Sequence, residues 1–268
     1  MAFTLGPRAT KAGYGLVAFD QIGSTNAEAL TRARDGEGGP CWFVTTEQTA
    51  GRGRRQRAWI APRGNLAASV LEILDVTPAS AATLGFAAGL ALESAVRQVS
   101  LEAALRSGGG DLNFALKWPN DVLANGAKLS GILLEAEQVT AGLAVVVGIG
   151  TNIVAAPTGT PTPATSLKAL GIEVAAEDVF TALSDAWAEH IGIWDRGRGF
   201  GEIRRAWLAR AAGLGQPVAI TSGNTMTEGT FDTIDDQGCM VVRTTEGKLV
   251  PITAGDVYFG SAATARAV

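Results

Sequence analysis

The stretch FALKWPNDVLANGAKLSGILLEAE, from Phe114 to Glu137, contains two apolar runs separated by turn-forming residues. The pair Asn125-Gly126 is typical of a two-residue hairpin turn, because both residues tolerate positive φ angles. Pro119 lacks the N–H that a strand ladder needs, so we expect a bend or a strand end there. The stretch therefore predicts a β-hairpin.

Runs of apolar and β-branched residues on either side predict further strands, and periodic alanine-rich runs predict helices. A helix opens in the segment 22–36, where Thr25 and Glu28 have the spacing of a capping box. The segment 107–111 predicts a flexible break, and 156–167 predicts a surface loop rich in Pro and Thr. The other predicted strands are 41–47, 65–74 and 141–153, and the other predicted helices are 78–99, 177–195 and 201–212.

The character of the sequence changes after the segment GLGQP, and from Gln216 to Gly260 short predicted strands alternate with turns. This pattern is typical of a small β-barrel. We therefore predict an α+β fold with two domains: residues 1–213 would form a mixed sheet packed with helices, and residues 214–268 a small SH3-like β-barrel.

Composition narrows the classes of protein. The formal net charge of −4 over 268 residues disfavours a general nucleic-acid binder. Two distant cysteines and a single histidine, His190, leave little basis for a metal cluster or a histidine-based triad. The amino terminus does not resemble a signal peptide, and no run of eighteen apolar residues is present. These features predict a cytoplasmic protein without a membrane span.

The segment EQTAGRGRRQRAW, Glu47 to Trp59, concentrates positive charge in an otherwise acidic chain. Gly51 and Gly53 allow the backbone to approach a ligand closely, and arginine side chains offer forked donors to phosphate or carboxylate. We expect this arginine loop to fold over an anionic ligand. A solvated basic loop or a nucleic-acid patch is the alternative. The segment lacks the Gly-Lys-Ser/Thr of a P-loop.

A second polar group follows in KWPNDV, where Lys117, Asn120 and Asp121 crowd at a strand end. Pro-Asn-Asp is common in turns for structural reasons alone, so this group is suggestive only in combination with others. Lys128 follows the hairpin turn and could present a point charge to a carboxylate or phosphate. Gly131 could let a ligand lie along the strand.

In their order and spacing, the segments GSTN, EQTAGRGRRQRAW, GNLAAS, KWPNDV, KLSGILLE and GIGTN, spread from Gly23 to Asn152, resemble biotin protein ligases. The resemblance implies a two-step reaction. Biotin and Mg-ATP would form biotinyl-5′-AMP and pyrophosphate, and a lysine of a biotin carboxyl carrier domain would then attack the mixed anhydride. The acceptor would belong to acetyl-CoA carboxylase or another biotin-dependent carboxylase, and the enzyme would be a monomer or homodimer that needs ATP, biotin and Mg²⁺.

The resemblance also implies roles for individual residues, with the metal ligands left unassigned. The residues expected at biotin are Ser24, Thr25, Asn26, Gln48, Arg52, Gly53, Arg54, Lys128 and Gly131. The residues expected at the nucleotide are Arg54, Arg55, Arg57, Trp59, Asn120, Lys128 and Asn152. The residues expected to act in catalysis are Lys128, Arg54 and Asp121, with Asp121 either accepting the proton of the carrier lysine or holding metal.

Two features depart from the family pattern. The arginine loop has Gln56 where a glycine is expected, which would restrict its closure. Only 23 residues precede Ser24, too few for the helix-turn-helix domain of bifunctional members, so we expect no DNA binding. The rival interpretations are a lipoate-type acyl-protein ligase, a noncatalytic biotin sensor and a nucleic-acid-binding protein.

Overall fold

The computed structural model describes residues 2–107, 112–160, 162–223 and 225–259. The strands are β1 (Gly15–Phe19), β2 (Cys41–Thr45), β3 (Leu66–Leu74), β4 (Phe114–Lys117), β5 (Asp121–Ala124), β6 (Ala127–Val139), β7 (Gly142–Thr151), β8 (Pro217–Ser222), β9 (Thr225–Ile234), β10 (Met240–Arg243), β11 (Leu249–Ile252) and β12 (Asp256–Phe259). The helices are α1 (Pro7–Lys11), α2 (Thr25–Arg34), α3 (Pro78–Ala82), α4 (Leu84–Ser107), α5 (Ala176–Trp194) and α6 (Phe200–Leu208).

The first seven strands form one mixed sheet in the order β1-β2-β3-β7-β6-β5-β4. Strands β1 and β2 are parallel, and the other neighbouring pairs are antiparallel. The predicted hairpin is confirmed: Asn125 and Gly126 have φ angles of 49° and 81° and connect β5 to β6. Pro119 lies between β4 and β5, so the first apolar run of the hairpin stretch forms two strands rather than one.

One face of this sheet packs against α4, α5 and α6 and contains the main core. Trp42 on β2 meets Phe180 and Trp187 of α5 edge to face, with ring centroids 5.4 and 6.2 Å apart. The stretch from Pro78 to Arg106 is long and apolar enough to cross a membrane by length and composition, but 72% of its most apolar window is buried. Such burial is that of a core helix.

The other face of the sheet is covered only in part. Helix α2 packs Ala29, Leu30 and Ala33 against Leu71 and Val146 of the sheet. Beyond the amino terminus of α2, the same face carries several alanine and glycine residues on β3, β6 and β7. The small residues of this uncovered area are Ala67, Gly131, Gly148 and Gly150.

Strands β8 to β12 form a second, five-stranded antiparallel sheet in the order β11-β10-β9-β8-β12. Its buried interior contains apolar side chains from three of the strands: Val218, Ile220, Phe231, Ile234, Met240 and Val242. The predicted α+β fold, with a mixed sheet, helices and a carboxy-terminal SH3-like β unit, is confirmed.

Four local predictions need correction or restriction. The cap of α2 is Ser24, whose hydroxyl accepts from the Ala27 N–H, so the predicted capping box at Thr25 is wrong. The helix predicted over 201–212 ends at Leu208, and the long apolar helix is divided at Thr83. The flexible break predicted at 107–111 lies outside the described residues except for Ser107, which ends α4.

Candidate functional site

A first cavity of about 60 Å³ opens on the uncovered area of the sheet, beside the amino terminus of α2. Its lining combines the small residues of the sheet with polar residues from α2 and from the arginine loop. The lining residues are Ser24, Thr25, Asn26, Gln48, Arg52, Gly53, Trp59, Ala67, Asn120, Lys128, Gly131, Ile132, Leu133, Gly148, Ile149 and Gly150.

Hydrogen bonds hold the polar wall of the first cavity in place. The N–H and hydroxyl of Thr25 both donate to Gln48 Oε1, at 2.9 and 3.1 Å, which supplies a partner for one free N–H of the α2 terminus. The buried Ser69 hydroxyl donates to Asn26 Oδ1 at 2.6 Å, and Asn26 Nδ2 donates to Glu135 Oε2 at 2.8 Å. The amide groups of Gln48 and Asn26 are therefore fixed in orientation before any ligand binds.

Glycines on two neighbouring strands make the floor of the cavity. A Cβ at position 150 would lie 2.4 Å from the Trp59 indole, and a Cβ at position 131 would lie 3.2 Å from the same ring. A Cβ at position 148 would lie 2.1 Å from Asn26 Oδ1. The absence of side chains at these positions therefore lets Trp59 and Asn26 lie directly on the sheet backbone.

Lys128 and Asp121 form an ion pair at the edge of this floor. Lys128 Nζ lies 2.7 Å from Asp121 Oδ1 and 5.7 Å from the centre of the Trp59 ring. Lys128 is the second residue of β6 and Asp121 is the first residue of β5, so the hairpin turn predicted from the sequence is what brings them together. The Lys128 ammonium group, at the end of a flexible side chain, is therefore bound to the Asp121 carboxylate in this structure.

The arginine loop folds over the cavity and is tied down at several points. Arg52 pairs with Glu135 at 3.2 Å, and Arg54 donates to Asn120 Oδ1 at 3.0 Å. Burial, followed by repulsion from Arg55, lowers the pKa of Arg54. The lowered pKa means that the loop holds the Arg54 guanidinium where water solvates it poorly. A cation in such a place favours the binding of an anion.

The tip of the loop contacts the second sheet. Arg55 and Arg57 both donate to Asp256 Oδ2 on β12, at 2.7 and 2.9 Å. Arg55 and Gln56 have φ angles of 55° and 61°, in the left-handed region that favours glycine. The glycine expected at position 56 from the family pattern therefore corresponds to a real conformational requirement of this turn.

A second cavity of about 330 Å³ lies on the other side of Trp59, between the first sheet and β12. Four residues line both cavities: Gly53, Trp59, Asn120 and Lys128. The second cavity is also lined by Arg54, Arg57, Lys117, Asp121, Asn152, Thr162, Ala164, Asp256 and Tyr258.

Asn152 forms a polar wall of the second cavity. Its Nδ2 donates to the Thr165 carbonyl at 3.1 Å, but its Oδ1 is buried and accepts no hydrogen bond from the described residues. The loop after β7 is held in place by bonds between Lys128 and the backbone of Pro163 and Thr165. An unpaired buried oxygen at a cavity wall is suited to accept from a ligand N–H.

The structure thus brings the residues predicted from the sequence into one region around two adjoining cavities. Arg55 is the one predicted site residue that lines neither cavity, because its guanidinium contacts Asp256 on β12 instead. Sequence reasoning assigned no role to Ser69, Glu135 and Asp256, whose positions depend on distant strands. Lys117 also had no predicted role, although its place in KWPNDV, four residues before Asp121, could have indicated that it belongs to the site.

Comparisons with known proteins agree with this geometry. Residues 22–152 match the biotin/lipoate A/B protein ligase family, and residues 213–260 match the biotin protein ligase carboxy-terminal domain. The chain is 41% identical to a biotin–[acetyl-CoA-carboxylase] ligase of Paracoccus denitrificans, over 88% of this chain and 97% of that protein. It is 36% identical to a ligase of the same name from Mycobacterium tuberculosis, over 88% and 86% of the two chains.

Among solved structures, a biotin protein ligase from Aquifex aeolicus in complex with biotin and ATP has the same fold. The TM-score is 0.73 at 23% identity, and the match covers 92% of this chain and 98% of that one. The order of the sequence motifs, the two adjoining cavities and the full-length similarity to the Paracoccus protein lead to one conclusion: this chain belongs to the biotin protein ligase family.

Proposed function

We propose that the protein is an ATP-dependent biotin–protein ligase that forms biotinyl-5′-AMP and transfers biotin to a carrier lysine. The observation that carries the proposal is the junction between the cavities. Lys128 and Trp59 line both cavities, so an acid in the first would meet a nucleotide in the second beside an ammonium group. This matches a reaction in which a carboxylate is joined to a phosphate.

In the first step, biotin would enter the first cavity with its ureido ring at the fixed polar wall of Ser24, Thr25 and Gln48. Its tail would lie along Gly131, and its carboxylate would reach Lys128 and the backbone near Gly53. A carboxylate oxygen attacks the α-phosphorus of ATP, and the bond from that phosphorus to the pyrophosphate oxygen breaks. Orientation and charge neutralisation drive such a step, so no enzyme nucleophile is required.

The nucleotide would occupy the second cavity. Asn152 Oδ1, buried without a partner among the described residues, would accept from the adenine amino group. Arg54 would contact the phosphate from the loop, with Asn120 holding its guanidinium in place. Arg57 would approach from the loop tip. Trp59 would separate adenylate from solvent, which protects the mixed anhydride from water.

In the second step, the ε-amine of a carrier lysine attacks the acyl carbon, and AMP leaves with the electron pair of the broken bond. The amine must lose a proton, and Asp121 is the carboxylate at the junction that can take it. Its present partner Lys128, at 2.7 Å, would then turn to the phosphate. Lys128 thereby has an anionic partner in both the free and the loaded enzyme.

We also propose that Mg²⁺ enters with ATP. Mg²⁺ in nucleotide sites is commonly held by one or two carboxylates and by phosphate oxygens. Asp121 and Asp256 are the carboxylates in the lining of the second cavity. The described residues contain no group of three or more His, Cys, Asp or Glu placed to hold a metal, so phosphate oxygens and water would complete the ligand set.

The proposed partner is the biotin carboxyl carrier domain of acetyl-CoA carboxylase or of another biotin-dependent carboxylase, met in the cytoplasm by a monomeric or homodimeric enzyme. DNA and membranes have no part in this proposal. Residues 1–213 would act as the ligase domain and residues 214–268 as the barrel domain. The contact of Asp256 with two loop arginines supports a role for the barrel in ordering the arginine loop.

The direct test incubates the enzyme with ATP, an isolated carrier domain and either biotin or lipoate, and measures the intact mass of the carrier. Addition of one biotinyl group is the expected result. Modification by lipoate alone would favour the alternative, a lipoate-type ligase. Lys128→Ala should slow adenylation far more than it weakens biotin binding, whereas the exposed Lys168→Ala should not. Adenylation at the normal rate by Lys128→Ala would show that its assigned role is wrong.

A further inference from the structure

Lys117, on β4, is a buried cation with no paired anion among the described residues. Its side chain lines the second cavity, yet the residue is only 8% exposed. No described carboxylate forms an ion pair with it, and its ammonium group faces the ring of Phe259, 5.4 Å from the centroid. Burial also lowers the pKa of Lys117. A buried ammonium group is costly unless an anion accompanies it.

The two carboxylates near Lys117 are already engaged. Asp121 lies opposite Lys117 in the β4–β5 ladder, but its Oδ1 is 2.7 Å from Lys128 Nζ. Asp256 accepts from Arg55 and Arg57. The second cavity is lined by four cationic side chains (Arg54, Arg57, Lys117 and Lys128) and two carboxylates. The free protein therefore holds more positive than negative charge around this space, which a polyanion would balance.

The position of Lys117 in the sheet indicates which part of a ligand it would meet. Lys117 is paired with Asp121, Asp121 with Gly131, and Gly131 with Gly150 in one row across β4, β5, β6 and β7. Neighbouring strands are about 4.8 Å apart, so Lys117 lies about 10 Å from Gly131 at the floor of the first cavity. It is therefore beyond Lys128, on the side away from the acid.

Resting on the proposed function, we propose that Lys117 binds the β- and γ-phosphates of ATP and then the pyrophosphate leaving group. When the biotin carboxylate bonds to the α-phosphorus, the electron pair of the breaking P–O bond passes to pyrophosphate. The ammonium group of Lys117 neutralises the charge that grows on these oxygens, and no proton has to move. Lys128 serves the α-phosphate and the acid, whereas Lys117 serves the departing group.

The test separates the two half-reactions. Lys117→Met keeps an unbranched side chain of similar length and removes the charge. We expect the KM for pyrophosphate in pyrophosphate–ATP exchange, and the KM for ATP, to rise about thirtyfold, as for loss of one partner of a desolvated charge pair. Transfer from synthetic biotinyl-5′-AMP to the carrier domain should stay within about twofold of the unaltered enzyme, because no pyrophosphate takes part in it.

Lys117→Arg restores the charge and should recover most of the pyrophosphate affinity, and Lys168→Met is the control for loss of a lysine elsewhere. Unchanged KM values in Lys117→Met would overturn the proposal. Equal losses of pyrophosphate affinity in Lys117→Met and Lys117→Arg would also overturn it, because they would show that the packing of the side chain matters and not its charge. Slowed transfer from biotinyl-5′-AMP would do so as well. Failure of the proposed function looks different, because the unaltered enzyme would then catalyse neither exchange nor transfer with biotin.

Discussion

The indole of Trp59 lies directly on the backbone of Gly150, so closely that a Cβ at position 150 would be 2.4 Å from two of its ring atoms. One residue belongs to the arginine loop and the other to β7, a central strand of the first sheet. The loop thus closes onto the core through a contact that only glycine permits. The proposed biotin site has its shape because a strand lacks a side chain at this point.

Gly150→Ala is therefore expected to displace Trp59 while leaving the sheet intact, because alanine fits the backbone of a strand. Overpacking of this kind typically costs about 1–3 kcal/mol. Biotin binding, measured by calorimetry, should weaken about tenfold or more. Gly192→Ala is the matched control, since a Cβ at position 192 meets nothing within 4 Å. Equal biotin affinity in Gly150→Ala and in the unaltered protein would contradict the account of Trp59.

Asp256→Asn should release the tip of the arginine loop. The two ion pairs of Asp256 are partly exposed, so the free energy of unfolding should change by less than about 1 kcal/mol. Trypsin should nevertheless cut after Arg55 or Arg57 at least about threefold faster, because local opening governs such cleavage. Limited proteolysis with mass analysis measures this.

Asp232→Asn supplies the control for that experiment. Asp232 lies in the same sheet and pairs with Arg243 at 2.5 Å, with a side-chain exposure of 26% that is close to the 27% of Asp256. Its removal should leave cleavage of the arginine loop unchanged. If both variants sped cleavage equally, the effect would belong to the barrel as a whole and not to the Asp256 contact.

Gln56→Gly tests the strained turn in the arginine loop. Gln56 has a φ angle of 61°, where a residue other than glycine typically stores on the order of 1 kcal/mol or more. Glycine relieves this strain, but it also gives the unfolded chain more conformational entropy, which lowers the free energy of unfolding by about 0.4–1 kcal/mol. Because the two effects oppose each other, Tm should change little. Gln56→Val should raise the KM for ATP several-fold, as positive φ disfavours β-branched residues. An unchanged KM in Gln56→Val would contradict this conformation of the loop.

Glu72 makes the stability of the protein depend on pH. Its carboxylate accepts from the Tyr14 hydroxyl at 2.7 Å and from Trp187 Nε1 at 3.1 Å, and burial raises its pKa to about 7. Burial and the neighbouring Glu72 also raise the pKa of Tyr14. Between the ordinary pKa of Glu72, 4.5, and about 7, the folded protein binds a proton that the unfolded chain releases.

Protonation of Glu72 therefore stabilises the folded protein fully below about pH 4.5, and this stabilisation is lost as the pH rises to about 7. The total loss in the free energy of unfolding is on the order of 3 kcal/mol. Glu72→Gln keeps an acceptor oxygen for Tyr14 and Trp187 but cannot ionise, so its stability should not fall with rising pH. Its urea midpoint should therefore exceed that of the unaltered protein at pH 8. Glu246→Gln, at an exposed position, is the control. Parallel urea midpoints from pH 5 to 8 in Glu72→Gln and the unaltered protein would disprove the role of Glu72.

Much of the fold could be predicted because the deciding signals are local. Asn125 and Gly126 adopt the positive φ angles that their turn requires, and Pro119 ends a strand because it cannot donate. Ser24 shows the limit of local signals. The predicted cap at Thr25 had the right spacing, but Thr25 instead bonds to Gln48 from another part of the chain.

The amino-acid sequence was enough to predict the hairpin turn, the glycines and arginines of the loop, and the lysine that follows the turn, because turn chemistry and side-chain charge are properties of neighbouring residues. Three features came only from the packing of the folded chain: Asp256 holds the loop tip, Trp59 lies on Gly150, and Lys117 is buried with no ion-pair partner among the described residues. Those facts depend on strand register and on packing between the two sheets. Such contacts join residues far apart in the chain, and no short stretch of sequence specifies them.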